Sequence, residues 1–209
     1  MVLRIPEIPG YSRRPFIAST IGAVAFLFFL ACSNNRSDKQ VNDLYFDVVD
    51  SLLASEIELG SSGWRVRPPR NLTALPESLM ADFRKILSSS LKDSTRITLL
   101  GILMSEETRA SLMISRIAGL NLQSDTAGFM ENYRDALRSE DETKSIESGD
   151  FRHGKVYVKN FLVSDSTNVQ FRLICFKPSD DAIELIYTTP RAVYSDFVKS
   201  IESSIGSLH

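Results

Sequence analysis

The closely spaced apolar runs in the last third of the chain constrain its fold more than any other feature. Val156 to Val163, Val169 to Lys177 and Ile183 to Thr188 have the length and the β-branched and aromatic content of strands, and Lys144 to Ser148 adds a shorter one before them. The segments between them, Asp150–Gly154, Ser164–Asn168 and Pro178–Asp181, are rich in turn formers. A parallel crossover needs about a dozen residues or more, so these connections permit only antiparallel neighbours.

The upstream half supplies the rest of the sheet and its helices. Ile57 to Leu59 and Trp64 to Arg67 read as two strands joined through Gly60 to Gly63. Alternation sends Trp64 and Val66 to one side, and Arg65 and Arg67 to the other. Pro68 and Pro69 end that pairing, and Pro76 suits the first turn of a helix. Leu79, Phe83, Ile86 and Leu87 give this helix an inward stripe that runs on to Leu91. Ile97 to Met104 is almost wholly apolar, as in a strand covered on both faces, and Ala110 to Ile117 reads as its hairpin partner. Asp125 is placed to cap a helix that turns Phe129, Tyr133, Ala136 and Leu137 inward. Pro190 begins a last helix, with Val193, Phe197, Ile201 and Ile205 four apart and Gly206 at its end. The expectation is an α+β domain over residues 55–209, an antiparallel sheet of seven or eight strands with helices on both faces.

The first part of the chain is different. Pro15 to Ala31 carries no charge, and Arg13 and Arg14 stand before it. A comfortable membrane span needs about 20 apolar residues, so this run is short for a permanent span and long enough for an export signal. Residues 1–31 resemble a bacterial lipoprotein signal peptide whose processing box is Phe29-Leu30-Ala31-Cys32; Phe29 replaces the usual Leu of that pattern. The resemblance implies lipid on Cys32, with a bilayer as partner through that residue. It also implies a cell-envelope location, and Ser33 after the cysteine favours the outer membrane facing the periplasm. Ser12-Arg13-Arg14-Pro15-Phe16-Ile17 is also similar to a twin-arginine export signal, so the route is left open. Residues 32–54 read as a tether: Ser33 to Gln40 is polar throughout, and Leu44, Val48 and Leu52 then suggest a short helix.

Loss of residues 1–31 removes Arg4, Arg13, Arg14 and Glu7 and takes the formal net charge from −2 to −4. This balance argues against nucleic acid, whose binding needs clustered positive charge. Cys175 would have no disulfide partner, and its apolar strand marks it as a buried, unreactive thiol.

The order of elements resembles the PsbP-like α/β/α sandwich, a fold shared by an extrinsic photosystem II protein, a Ran-binding import factor and many bacterial lipoproteins. The residues that carry the resemblance are Gly63-Trp64-Arg65-Val66-Arg67-Pro68-Pro69, the middle helix Phe129 to Leu137, the hairpin His153-Gly154-Lys155, and the closing helix with Phe197, Ile201, Ser204 and Ile205. It covers most of Ile57 to Leu208 and implies a fold. No photosystem or Ran-contacting residue maps onto this chain.

Chemistry is sparse. The chain has two histidines, His153 in an expected turn and His209 at the end, too few for the usual zinc or hydrolase arrangements. They read as a solvated turn residue and a frayed terminus. Asp180-Asp181 and Glu140-Asp141-Glu142 lack the spaced loop of a calcium site. No phosphate-cradling glycine loop occurs, and no cofactor or metal is expected. The best candidate binding patch is Trp64, Arg65, Arg67 and Arg70, where arginine forks suit an anionic partner; charge protecting an edge strand is the plainer account. These readings favour a membrane-anchored, non-catalytic envelope lipoprotein that binds or supports another envelope component, an envelope protein or a small ligand. The alternative is a carrier or sensor of a small apolar ligand held between sheet and helix.

Overall fold

A computed structural model describes residues 41–60, 63–90, 97–120, 126–140, 143–178 and 181–209. The signal-like segment, Cys32, the polar tether, Asp125, Asp180 and Asp141-Glu142 lie outside these residues, as do the side chains of Ile86 and Leu87. The strands are β1 (Asn42–Asp43), β2 (Ile57–Glu58), β3 (Arg65–Val66), β4 (Thr73–Ala74), β5 (Ile97–Met104), β6 (Ser111–Ile117), β7 (Ser145–His153), β8 (Val156–Ser164), β9 (Asn168–Phe176) and β10 (Ala182–Pro190). The helices are α1 (Glu77–Ser90), α2 (Thr126–Glu140) and α3 (Tyr194–Gly206).

Eight strands form one sheet in the order β1-β7-β8-β9-β10-β6-β5-β4. The run from β7 to β10 is an antiparallel meander, as the short connections require. The sheet as a whole is mixed, because β1 pairs parallel with β7 through Asn42↔Phe151 and Asp43↔Arg152. β2 and β3 stand apart as a two-stranded sheet. Neither two-residue edge strand, β1 or β4, carries enough alternation to announce itself in sequence.

Several segments depart from the sequence expectation for identifiable reasons. Residues 41–54 contain no α-helix. They run extended beside β7, where Leu44 N–H donates to Arg152 O at 2.8 Å, and then make one 3-10 turn at Asp50–Leu52. An open sheet edge satisfies this backbone better than an isolated short helix could. Asp150 to His153 extend β7, and the turn is reduced to Gly154-Lys155 with Gly154 at φ +57°. Asp150 is tolerated in the strand because its carboxylate accepts from Lys159 Nζ at 2.8 Å and Tyr157 O–H at 2.9 Å on β8. In α1 the expected inward residues Leu79 and Phe83 are 48% and 43% exposed, and Met80 is buried instead. The helix is therefore rolled by one position, so that Met80 packs on Leu99 and Ile102.

Strand parity divides the core. On β9, Leu173 and Cys175 pack with Trp64, Val66 and the α3 residues Phe197 and Ile201. The alternate residues Ile174 and Phe176 pack with Met130 and Leu137 of α2. Cys175 is free and fully buried, and desolvation pushes its thiol pKa well up, which leaves it in the unreactive form. Ile201→Ala is expected to cost about 2–5 kcal/mol, the range for emptying a sealed aliphatic site, and Leu79→Ala about 0.5 kcal/mol or less. Urea unfolding of the two variants checks the helix orientation, since an inward Leu79 would raise its cost to about 2–5 kcal/mol as well.

Candidate functional site

The arginine-rich stretch is where the N-terminal strap meets the body. Trp64 lies beneath the surface at 0% exposure. Its indole N–H donates to Asp181 O at 3.2 Å, and the Lys177 ammonium sits 4.2 Å from the ring centroid. It thus contributes no exposed contact area. Arg65 faces solvent and pairs with Glu56 at 3.4 Å. Arg67 Nε donates to Ala54 O at 3.2 Å while its other end bonds the Asp50 carboxylate. Arg70 reaches Leu53 O at 3.2 Å and Asp50 O at 3.1 Å. Arg67 and Arg70 come together as a clasp around residues 50–54, with their donors turned toward the chain's own carbonyls.

The closing helix completes the junction. Tyr187 on β10 donates to Ser204 Oγ at 2.9 Å, and the Ser204 hydroxyl in turn donates a hydrogen bond to Arg67 O at 2.7 Å. Ser207 Oγ accepts from Arg67 N–H at 2.9 Å, and Ser203 Oγ accepts from Val49 N–H at 2.6 Å. Gly206 is required by proximity, because a Cβ there would stand 2.5 Å from Phe46 O.

Both histidines are structural participants. His153 is half-buried, with Nδ1 3.2 Å from Leu44 O and Nε2 3.1 Å from Gly206 O. A neutral imidazole donates to one of these carbonyls, whereas an imidazolium donates to both. This replaces the solvated turn residue expected from sequence. His209 is likewise held: its N–H donates to Arg65 O at 3.1 Å, and its carbonyl accepts from Arg65 N–H at 2.9 Å. Backbone pairing to β3 keeps the terminus from fraying.

A buried acid escaped the sequence reading. Glu184 on β10 is 5% exposed and accepts a hydrogen bond from Tyr133 O–H on α2. Desolvation raises the pKa of both groups, and the charge of Glu184 raises that of Tyr133 further. The only trace in sequence is one acid inside the apolar run Ala182 to Tyr187. A cleft of about 350 Å³ lies elsewhere, between Leu59 and Gly60, the start of α1, and the irregular stretch of β5 at Leu100 to Leu103. Among the described residues no group of three or more His, Cys, Asp or Glu is placed to hold a metal ion, and no helix is long and apolar enough to cross a membrane.

No protein-family model and no curated protein matches the chain. Among solved structures it is similar to the solution structure of cyanobacterial PsbP (CyanoP) from Synechocystis sp. PCC 6803. The match has 11% identity over 74% of this chain and 91% of that one, with a TM-score of 0.47.

Burial of Glu184, which outweighs the opposing pull of Tyr133 and Arg172, is expected to make stability pH-dependent. A carboxyl whose pKa is raised by folding contributes stability that is complete below its unfolded value, about 4.3, and is lost as pH rises through the folded-state value. Glu184→Gln keeps the acceptor for Tyr133 and has no charge to bury. Urea titrations from pH 4 to 8 should show the variant gaining on the wild type as pH rises. A difference independent of pH would mean that this carboxylate is ionised in the fold at no cost.

Proposed function

We propose that the protein is a lipid-anchored, non-catalytic envelope component, processed before Cys32. Its body would be a PsbP-like sandwich with helices on both sheet faces, and it would bind or support another envelope component. The sandwich reading draws on the parity of the core, where successive residues of β9 pack toward α3 and α2 in turn. The observation that carries the anchoring is the uncharged run Pro15 to Ala31 closing on Leu30-Ala31-Cys32, followed at once by polar sequence.

The way the chain enters the fold suits a tether. Ser33 to Val41 reaches at most about 30 Å when fully extended, which would hold the domain close to a membrane face. The strap that follows is fastened through Val49, Asp50 and Leu53 to the closing helix and to Arg67 and Arg70. A pull on the tether would therefore be borne by the body. Two acyl chains are enough for stable anchoring, since each buried CH₂ contributes about 0.8 kcal/mol.

Metabolic labelling with a fatty-acid analogue tests the reading. The wild type should take up label and sediment with membranes, and Cys32→Ala should lose both properties while its domain stays folded. An unmodified Cys32 with residues 1–31 still attached would contradict it.

A further inference from the structure

The cleft beside β5 has the construction of a ligand site. β5 carries a register shift between Leu99 and Gly101, and its outer edge is paired in β4 only at Met104 and Leu103. The bulge leaves a recess of about 350 Å³, at the lower end of the roughly 300–1,000 Å³ found for small-molecule pockets. Leu59, Met80 and Ile102 form buried apolar wall, and half-buried Leu100 adds to it. Gly101 lines the recess, and a Cβ built there would meet nothing within 4 Å, so a side chain has room at this position. Its φ is not in the left-handed region, so the missing side chain is not a backbone requirement.

The charged lining is of one sign. Among the described residues that line the recess, Glu58 and Glu77 are the ionisable ones. Glu77 is already paired with Arg84. The carboxylate of Glu58 has no ion-pair or hydrogen-bond partner among the described residues, and Arg65, its cross-strand neighbour, pairs with Glu56. An apolar body can fill the recess while a cationic head meets Glu58, and an anionic head would face two carboxylates.

We propose that this recess binds a small amphiphile with an apolar body and a cationic head. The proposal stands apart from anchorage at Cys32, and either can fail without the other. The probes are n-decylamine, n-decanol and n-decanoate at neutral pH, below their aggregation concentrations, titrated into the purified full chain and followed by amide chemical shifts. Perturbations should centre on Leu59, Leu100 and Gly101. The amine should bind about two- to fivefold more tightly than the alcohol, the size of one exposed ion pair, and decanoate more weakly than either. Glu58→Gln should bring amine and alcohol affinities together without weakening the alcohol. Gly101→Leu should abolish binding of all three in a protein whose circular dichroism and thermal midpoint show it folded; if it does not fold, Glu58→Gln decides alone. No shifts in the recess with any probe, undiminished binding by folded Gly101→Leu, or an amine preference that survives Glu58→Gln would overturn the proposal.

Discussion

The structure depends on a set of serine hydroxyls at the end of α3. A closing helix of apolar residues alone could pack on the sheet through Phe197, Ile201 and Ile205, but with little to fix its register. Ser203, Ser204 and Ser207 supply that register. They receive the N–H groups of Val49 and Arg67 and the O–H of Tyr187, and the Ser204 hydroxyl donates a hydrogen bond to Arg67 O. Each net bond contributes only about 1 kcal/mol, yet leaving any of these buried groups unpaired costs about 1–3 kcal/mol. The penalty for the unpaired state, more than the gain, selects this arrangement over a slid or frayed one.

The same junction explains why two elements that look separate in sequence behave as one. The strap from Val41 to Ala54 contributes two residues of strand and a single 3-10 turn, so it has little stability of its own. It is held by what surrounds it: Arg67 and Arg70 on one side, Ser203 and His153 on the other. Most contacts are to backbone carbonyls and amides. Leu44, Phe46 and Leu53 add side-chain packing to these contacts, and Tyr45, Val48 and Val49 are exposed.

Legibility followed the range of the forces involved. The meander from β7 to β10 is legible because strand periodicity and short turns are local properties, and the existence of α2 and α3 because apolar spacing is, although Ala136 is exposed where the spacing turns it inward and Pro190 ends β10 instead of starting α3. The strap has helical spacing at Leu44, Val48 and Leu52 but is not an α-helix, because its decisive partner, the edge of β7, lies over a hundred residues away. The face of α1 was misjudged by one position: Leu79 and Met80 are equally apolar, and only the position of β5 chooses between them. Of the anticipated patch, Arg67 and Arg70 hold carbonyls of residues 50–54, partners that spacing alone does not reveal. Trp64 was correctly sent to the side opposite Arg65, though its complete burial depends on the closing helix. Glu184 left a trace that could have been followed, an acid in an apolar strand, which in a covered sheet implies a buried partner such as Tyr133.

The central claim is that strap, closing helix and sheet form one cooperative unit through the serine hydroxyls. Native-state hydrogen exchange tests it at two amides, Val49 and Arg67, compared with Leu185 in the middle of β10. If the claim holds, all three exchange with the same opening free energy, that of global unfolding. Rapid exchange at Val49 and Arg67 while Leu185 remains protected would show that the strap and helix open on their own, and the account would fail.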